Sequence, residues 1–343
     1  MLKSFFSRGW VAGLAVLALV NAPRAQAGQI QYKSVIPDPT WVVHVDADAL
    51  RKTTVGIAFL EELSKPEMQA KMDIFQGIFS FDPRKALHGL TLYGASLEPS
   101  DGVALIYADV DAGRITALAD LAGDHHSFTN KSYVIHTWVD PKDREKNPDA
   151  ERTYATVYEG KVVVFARKES RLMEALSVLS GEKPGLKNRG LFPKPDAEST
   201  FTVIQAAARK FDFPDADGHA AIFKLAKSAS LQVGESKSNL MATLALVADT
   251  EDNAKQISVI AQGLLALASL QGDKGDIAKF MKAISITREG ETVAVNLKLA
   301  EADAVSMIKS APGLEKEEKG DKDDKGDKGN KGEKVEKTDK GEK

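Results

Sequence analysis

Apolar and polar positions along residues 40–312 follow two periods. Short β-branched and aromatic runs read as strands; longer runs with apolar residues three and four apart read as helices. Thr40–Val45 (TWVVHV) opens a first series as a strand, and Thr200–Gln205 (TFTVIQ) opens a second. Helical pattern follows over Ala49–Leu63 and Pro66–Phe79 in the first series, with Pro66 suited to a first helical turn, and over the shorter Ala220–Lys227 in the second. A hairpin comes next in each. Leu90–Ala95 and Val103–Asp109 join across Ser100-Asp101-Gly102; Ala229–Glu235 and Leu240–Val247 join across Ser236–Asn239.

Each hairpin runs into an amphipathic helix. Gly113–Leu121 has Asp111 to cap it, and Glu251–Leu270 has Asp249 or Thr250, with acids in the first turn as the helix dipole favours. A second hairpin turns at Glu159-Gly160 (Tyr154–Tyr158 to Val162–Ala166) and at Glu289-Gly290 (Ile284–Thr287 to Thr292–Leu299). Helices over Glu169–Leu179 and Ala302–Lys309 close the two series. The order β-α-β-β-α-β-β-α thus occurs twice. It predicts an α+β fold of two repeated units, with antiparallel sheets packed against helices. The first unit takes residues 28–182 and the second 200–313. The stretch 183–199, with Pro184, Gly185, Gly190, Pro193 and Pro195, is the expected linker. Ile257–Leu270 (ISVIAQGLLALASL) is apolar nearly all round; too short for a membrane span, it is expected to be a buried core helix.

The two ends differ from this middle. Residues 1–27 read as a signal peptide: Lys3 and Arg8 precede the apolar Val11–Val20, and Ala25-Gln26-Ala27 is a small-x-small cleavage pattern, so cleavage is expected after Ala27. No transmembrane helix is expected once it is removed. From Leu314 to Lys343 a lysine falls at every third position, with eleven Asp or Glu between and only Leu314 and Val335 as large apolar residues. Such a stretch has nothing to offset the entropy of ordering, so 314–343 is expected to be a disordered polyampholyte tail. Three consecutive G-x-K triplets, headed by Gly326, Gly329 and Gly332, resemble collagen, but the glycine period fails on either side and proline is absent from the tail.

Composition then narrows the chemistry. The 343 residues hold no cysteine, which excludes disulfides, thiol nucleophiles and thiolate metal sites. A formal charge of −3 gives no basic footprint for nucleic acid. An export address without cysteine fits a bacterial periplasmic or secreted protein better than a small disulfide-bonded one.

The run Trp41-Val42-Val43-His44-Val45-Asp46-Ala47-Asp48-Ala49-Leu50, followed by Thr54-Val55-Gly56, resembles the start of uncharacterised secreted bacterial proteins of planctomycete type and, more loosely, DUF3352-like secreted families. The resemblance implies an exported α+β protein. It brings no reaction and no site residue.

Candidate chemistry centres on His44, Asp46 and Asp48. They alternate along one strand and share a face, and an imidazole with two carboxylates is an acceptable ligand set for a divalent metal. The competing structural role is a helix cap at Asp48, with His44 and Asp46 at an exposed strand end. The matching positions of the second series are Ile204, Ala206 and Ala208, so the strand itself does not require polar groups there. His125 and His126 are adjacent and would face opposite sides of a strand. His136 beside Trp138 reads as a half-buried structural histidine, and His88 and His219 flank turns without a partner that can be named. Ser180-Gly-Glu-Lys183 and Ser306-Met-Ile-Lys309 match S-x-x-K, but the chain has neither S-D-N nor K-T-G. Nucleophile-elbow, zincin, P-loop and dinucleotide motifs are absent, and no cofactor is implied. The sequence therefore points to an exported, non-enzymatic binding or assembly module with an envelope or extracellular partner. The alternative is a metal-assisted hydrolase using His44, Asp46 and Asp48.

Overall fold

The computed structural model describes residues 28–79, 82–120, 124–139, 141–147, 150–187, 191–192, 201–209, 224–271 and 275–310. The expected signal peptide, the expected tail and most of the expected linker lie outside them.

The fold is α+β, built on one antiparallel sheet of twelve strands. In chain order these are β1 (Trp41–Asp46), β2 (Leu87–Gly94), β3 (Gly102–Ala108), β4 (His126–Asn130), β5 (Tyr133–Trp138), β6 (Thr153–Tyr158), β7 (Val162–Ala166), β8 (Phe201–Arg209), β9 (Ala226–Ser236), β10 (Asn239–Ala248), β11 (Ile284–Glu289) and β12 (Thr292–Ala300). The helices are α1 (Ala47–Leu50), α2 (Thr54–Leu63), α3 (Pro66–Phe79), α4 (Pro83–Ala86), α5 (Ala112–Asp120), α6 (Pro141–Lys146), α7 (Glu169–Leu179), α8 (Glu251–Gln271), α9 (Asp276–Lys282) and α10 (Glu301–Ser310). The strand order is β11-β12-β10-β9-β8-β1-β2-β3-β7-β6-β5-β4. The strands of both expected units therefore lie in one continuous sheet, joined where β1 pairs with β8 (Val43 opposite Ala206, His44 opposite Gln205).

Local chemistry accounts for the element ends. Asp111 caps α5 as expected, accepting from the N–H groups of Gly113 (2.9 Å) and Arg114 (3.3 Å). Thr250, not Asp249, caps α8, accepting from Asn253 N–H at 3.1 Å. Thr53 caps α2, its hydroxyl accepting from Gly56 N–H at 3.0 Å. A side chain on Gly56 would stand 2.0 Å from the Leu50 carbonyl oxygen, so that position admits only glycine. The helix expected over Ala220–Lys227 is replaced at its end by strand: Ala226 already opens β9, and residues 220–223 lie outside the described set.

The main core sits where α7 covers the β1–β2–β3–β7 region. Leu172, Ala175 and Leu176, three and four apart on α7, are buried against Val42, Tyr93, Leu105 and Val164. Each large side chain fully buried in this way stabilises the fold by roughly 1.5–3 kcal/mol. The flank built on β8–β12 has a smaller core, with Leu246, Ala254, Ile257 and Val293 at its centre. This difference leaves apolar surface open on that flank.

Candidate functional site

The expected metal triad does not assemble. His44 and Asp46 occupy alternate positions of β1 and share the face that carries the main core, but both are buried rather than set at an exposed strand end. His44 uses both ring nitrogens. Its Nε2 lies 3.0 Å from the Gly28 carbonyl oxygen and its Nδ1 2.9 Å from the Thr91 hydroxyl. A carbonyl only accepts, so Nε2 carries the proton and Nδ1 accepts from Thr91, which leaves no lone pair for an ion. Burial holds this imidazole near pKa 4 against the ordinary 6.5, so it is neutral. Asp46, not Asp48, is the helix cap, accepting from Ala49 N–H at 2.7 Å. Burial pushes its carboxyl up to about 7. Asp48 turns away to other partners: Arg51 Nη2 at 2.9 Å and His88 Nδ1 at 3.2 Å. His88, for which the sequence offered no partner, bridges Asp48 and Asp109, its Nε2 3.2 Å from Asp109.

What the β8–β12 flank offers is an apolar groove of about 260 Å³. Leu244, Leu246, Val293 and Val295 of β10 and β12 form its floor; Ile257, Ala261 and Leu265 of α8 form its roof. Alternation along each strand puts the even-numbered residues of β10 and the odd-numbered residues of β12 on this side, in agreement with the Leu246–Val293 pairing. The expectation of a buried core helix over Ile257–Leu270 is corrected here. Ala254 and Ile257 are fully buried, but Val259 is 67%, Leu267 60% and Leu270 77% exposed, with Ile260 and Leu264 also open. The first turns of α8 lie on the sheet, and the rest of its apolar surface exceeds what the narrow β11–β12 edge covers. On the neighbouring α9, Ile277 and Phe280 are exposed as well.

A third constellation lies at the β4–β5 edge. Ser127 pairs with His136 in the hairpin, so His125 stands diagonally across from His136 on the same face. Their rings stack with centroids 5.2 Å apart, and His125 Nε2 lies 3.0 Å from His136 Nδ1. Asp120, the last residue of α5, places an oxygen 3.3 Å from His125 Nδ1, and Thr116 Oγ1 lies 3.4 Å from His136 Nε2. Burial, with His125 beside it, holds His136 below the usual imidazole range. In the chain His125 stands beside His126, and only the hairpin register brings position 136 to position 125. His126 instead is exposed and pairs with Asp124.

No helix among the described residues is long and apolar enough to cross a membrane. No family model matches the chain, and no curated protein matches it. Three crystal structures of the protein TP0453 are similar to it. Crystal form III is 12% identical with a TM-score of 0.44 over 83% of this chain and 99% of that one. Form I is 12% identical with a TM-score of 0.41 over the same shares. Form IV is 11% identical with a TM-score of 0.43, over 83% of this chain and 98% of that one.

Proposed function

We propose that the protein is an exported, non-enzymatic binding module of the bacterial envelope that seats the acyl chain of a lipid beneath α8. The observation that carries this reading is the groove lined by apolar side chains, continued by the exposed leucines of the same helix. A bound peptide would bring backbone N–H and C=O groups into a lining that offers them no partner, at a cost of about 1–3 kcal/mol for each unmet group. A hydrocarbon chain brings none. Apolar surface this contiguous marks a binding face more often than an idle one. The export address at 1–27, with cleavage after Ala27, and the resemblance of the Trp41–Leu50 run to secreted proteins support the location.

In this proposal the chain is two repeated α+β units. Support comes from the strand order outward from the central pair, β1-β2-β3-β7-β6 on one side and β8-β9-β10-β12-β11 on the other, with the β4–β5 hairpin as an insertion in the first. The first unit keeps the thicker core, and the second carries the groove.

The test is saturable binding of a fluorescent fatty acid, displaced by palmitate, to the purified protein. We expect binding at one site per chain, lost in Val295→Lys, which puts an ammonium on the groove floor. Absence of saturable binding, or undiminished binding in a folded Val295→Lys variant, would overturn the proposal.

A further inference from the structure

We propose that Asp120, His125 and His136 form a binding site for a divalent transition-metal ion of the zinc class, separate from the groove. Their donor atoms, one from each residue, lie within 4.8 Å of one another, and no other such group of three occurs among the described residues. The protonation pattern prepares the site. An Asp120 carboxylate oxygen lies 3.3 Å from His125 Nδ1, and on the other side of the ring His125 Nε2 faces His136 Nδ1 at 3.0 Å, a hydrogen bond that needs one proton between the two nitrogens. His136 Nε2 in turn faces the Thr116 hydroxyl. A single proton therefore sits between two imidazole nitrogens that point at each other. An ion takes the place of this proton when the proton moves to the outer nitrogen of its own ring. His125 then holds its proton on Nδ1 and His136 holds its proton on Nε2 beside the Thr116 hydroxyl, and both rings present a lone pair as neutral imidazoles, the form in which histidine ligates metals.

The surroundings agree with a nitrogen-rich site. Asp120, at the end of α5, is the exposed third donor and can swing toward the ion, leaving the solvent side for water. Two imidazoles and one carboxylate favour zinc, copper or nickel over calcium or magnesium, which prefer all-oxygen shells. Asp124 does not compete for the ion. Its carboxylate is held by Arg144 and, at 2.7 Å, by Arg152, which also donates to the Asp124 and Thr137 carbonyls. The bound ion would tie α5 to the β4–β5 hairpin at the open edge of the sheet.

The experiment uses the untagged chain freed of metal with a chelator. Cobalt is titrated by its visible absorption, then displaced by zinc, and zinc binding is followed by calorimetry. We expect one ion per chain. Affinity should fall at least tenfold in His125→Ala and in Asp120→Asn, and should be unchanged in Asp48→Asn, which alters the other carboxylate–histidine cluster. In the unsubstituted protein, zinc should shift the ring resonances of His125 and His136 and leave His44 and His88 in place, a readout that does not depend on any variant folding. Absence of saturable metal binding, retention of affinity in folded His125→Ala, or shifts confined to other histidines would each overturn the proposal.

Discussion

The Glu235 carboxylate on β9 accepts a hydrogen bond from the Thr54 backbone N–H at 2.8 Å, and its second oxygen accepts from Val55 N–H at 2.7 Å. Residues 181 positions apart thus share the N-terminus of α2, where unpaired N–H groups and the positive end of the helix dipole favour an anion. Glu235 is buried, so its removal also strands two donors. We expect Glu235→Ala to cost about 2–4 kcal/mol and Glu235→Gln about half of that, read from urea midpoints. A loss below 0.5 kcal/mol in Glu235→Ala would show that water replaces the carboxylate freely.

The buried pair on β1 sets opposing pH dependences. His44, held near 4, contributes stability that is complete above pH 6.5 and is lost as pH falls toward 4; the full effect is about 3 kcal/mol. Asp46, raised to about 7, contributes stability that is complete below 3.8 and is lost as pH rises through 7. The two partly cancel between pH 4 and 6.5. Asp46→Asn keeps the cap oxygen and removes one slope. We expect this variant to be more stable than the parent at pH 7.5 and to lose stability steadily from pH 6.5 to 4. Identical pH profiles for parent and variant would refute the assignment.

Gly28 packs on the same carboxylates. A side-chain carbon there would stand 2.6 Å from Asp46 Oδ1 and 2.9 Å from Asp48 Cβ, and the Gly28 carbonyl accepts from His44. Cleavage after Ala27 would free an α-ammonium one bond from this contact, beside a buried acid. A chain beginning at Gly28 with a free amine should melt several degrees above its N-acetylated form at pH 7, where the amine is charged. The gap should close at pH 3, where Asp46 is protonated in both. Equal melting temperatures at pH 7 would exclude an ion pair at the new terminus.

The hairpin between β9 and β10 turns through Lys237 (φ 47°) and Ser238 (φ 64°), both left-handed. A two-residue loop with positive φ at each position is a type I′ turn, for which Asn-Gly is the favoured pair. Holding two ordinary side chains there costs about 1–2 kcal/mol each. Lys237→Asn/Ser238→Gly should raise stability by about 1–2 kcal/mol without altering the groove, measured by thermal melting and by fatty-acid binding on the same sample. No gain would mean that contacts of the Lys237 and Ser238 side chains already offset the strain.

Most of the secondary structure was legible in the sequence. The Glu169–Leu179 helix and the Val162–Ala166 strand match residue for residue and the other expected strands differ at their ends, whereas β4, α6 and α9 were not foreseen and the helix expected over Ala220–Lys227 gives way to β9. Hydrophobic spacing, caps and turn residues act within a few positions, so a local reading captures them. The chemistry was not legible to the same degree. His44, Asp46 and Asp48 look like one cluster because they are close in the chain. Besides the adjacent Ala49 and Arg51, their actual partners come from two other parts of it, Gly28 upstream and Thr91 and His88 on β2.

Sequence alone thus determined the α+β character and the spans of most strands and helices, because each rests on φ/ψ preferences and apolar periods shared by near neighbours. Tertiary structure decided which polar groups meet, as with His125 and His136 across a hairpin, or Glu235 and α2 across the sheet. It also decided that α8 stays half uncovered. Ile257–Leu270 is apolar enough to be buried, but burial needs a second layer to lie over it. Among the described residues, the β11–β12 edge covers only the inner face of α8, where Ile257 lies, and leaves Leu267 and Leu270 open.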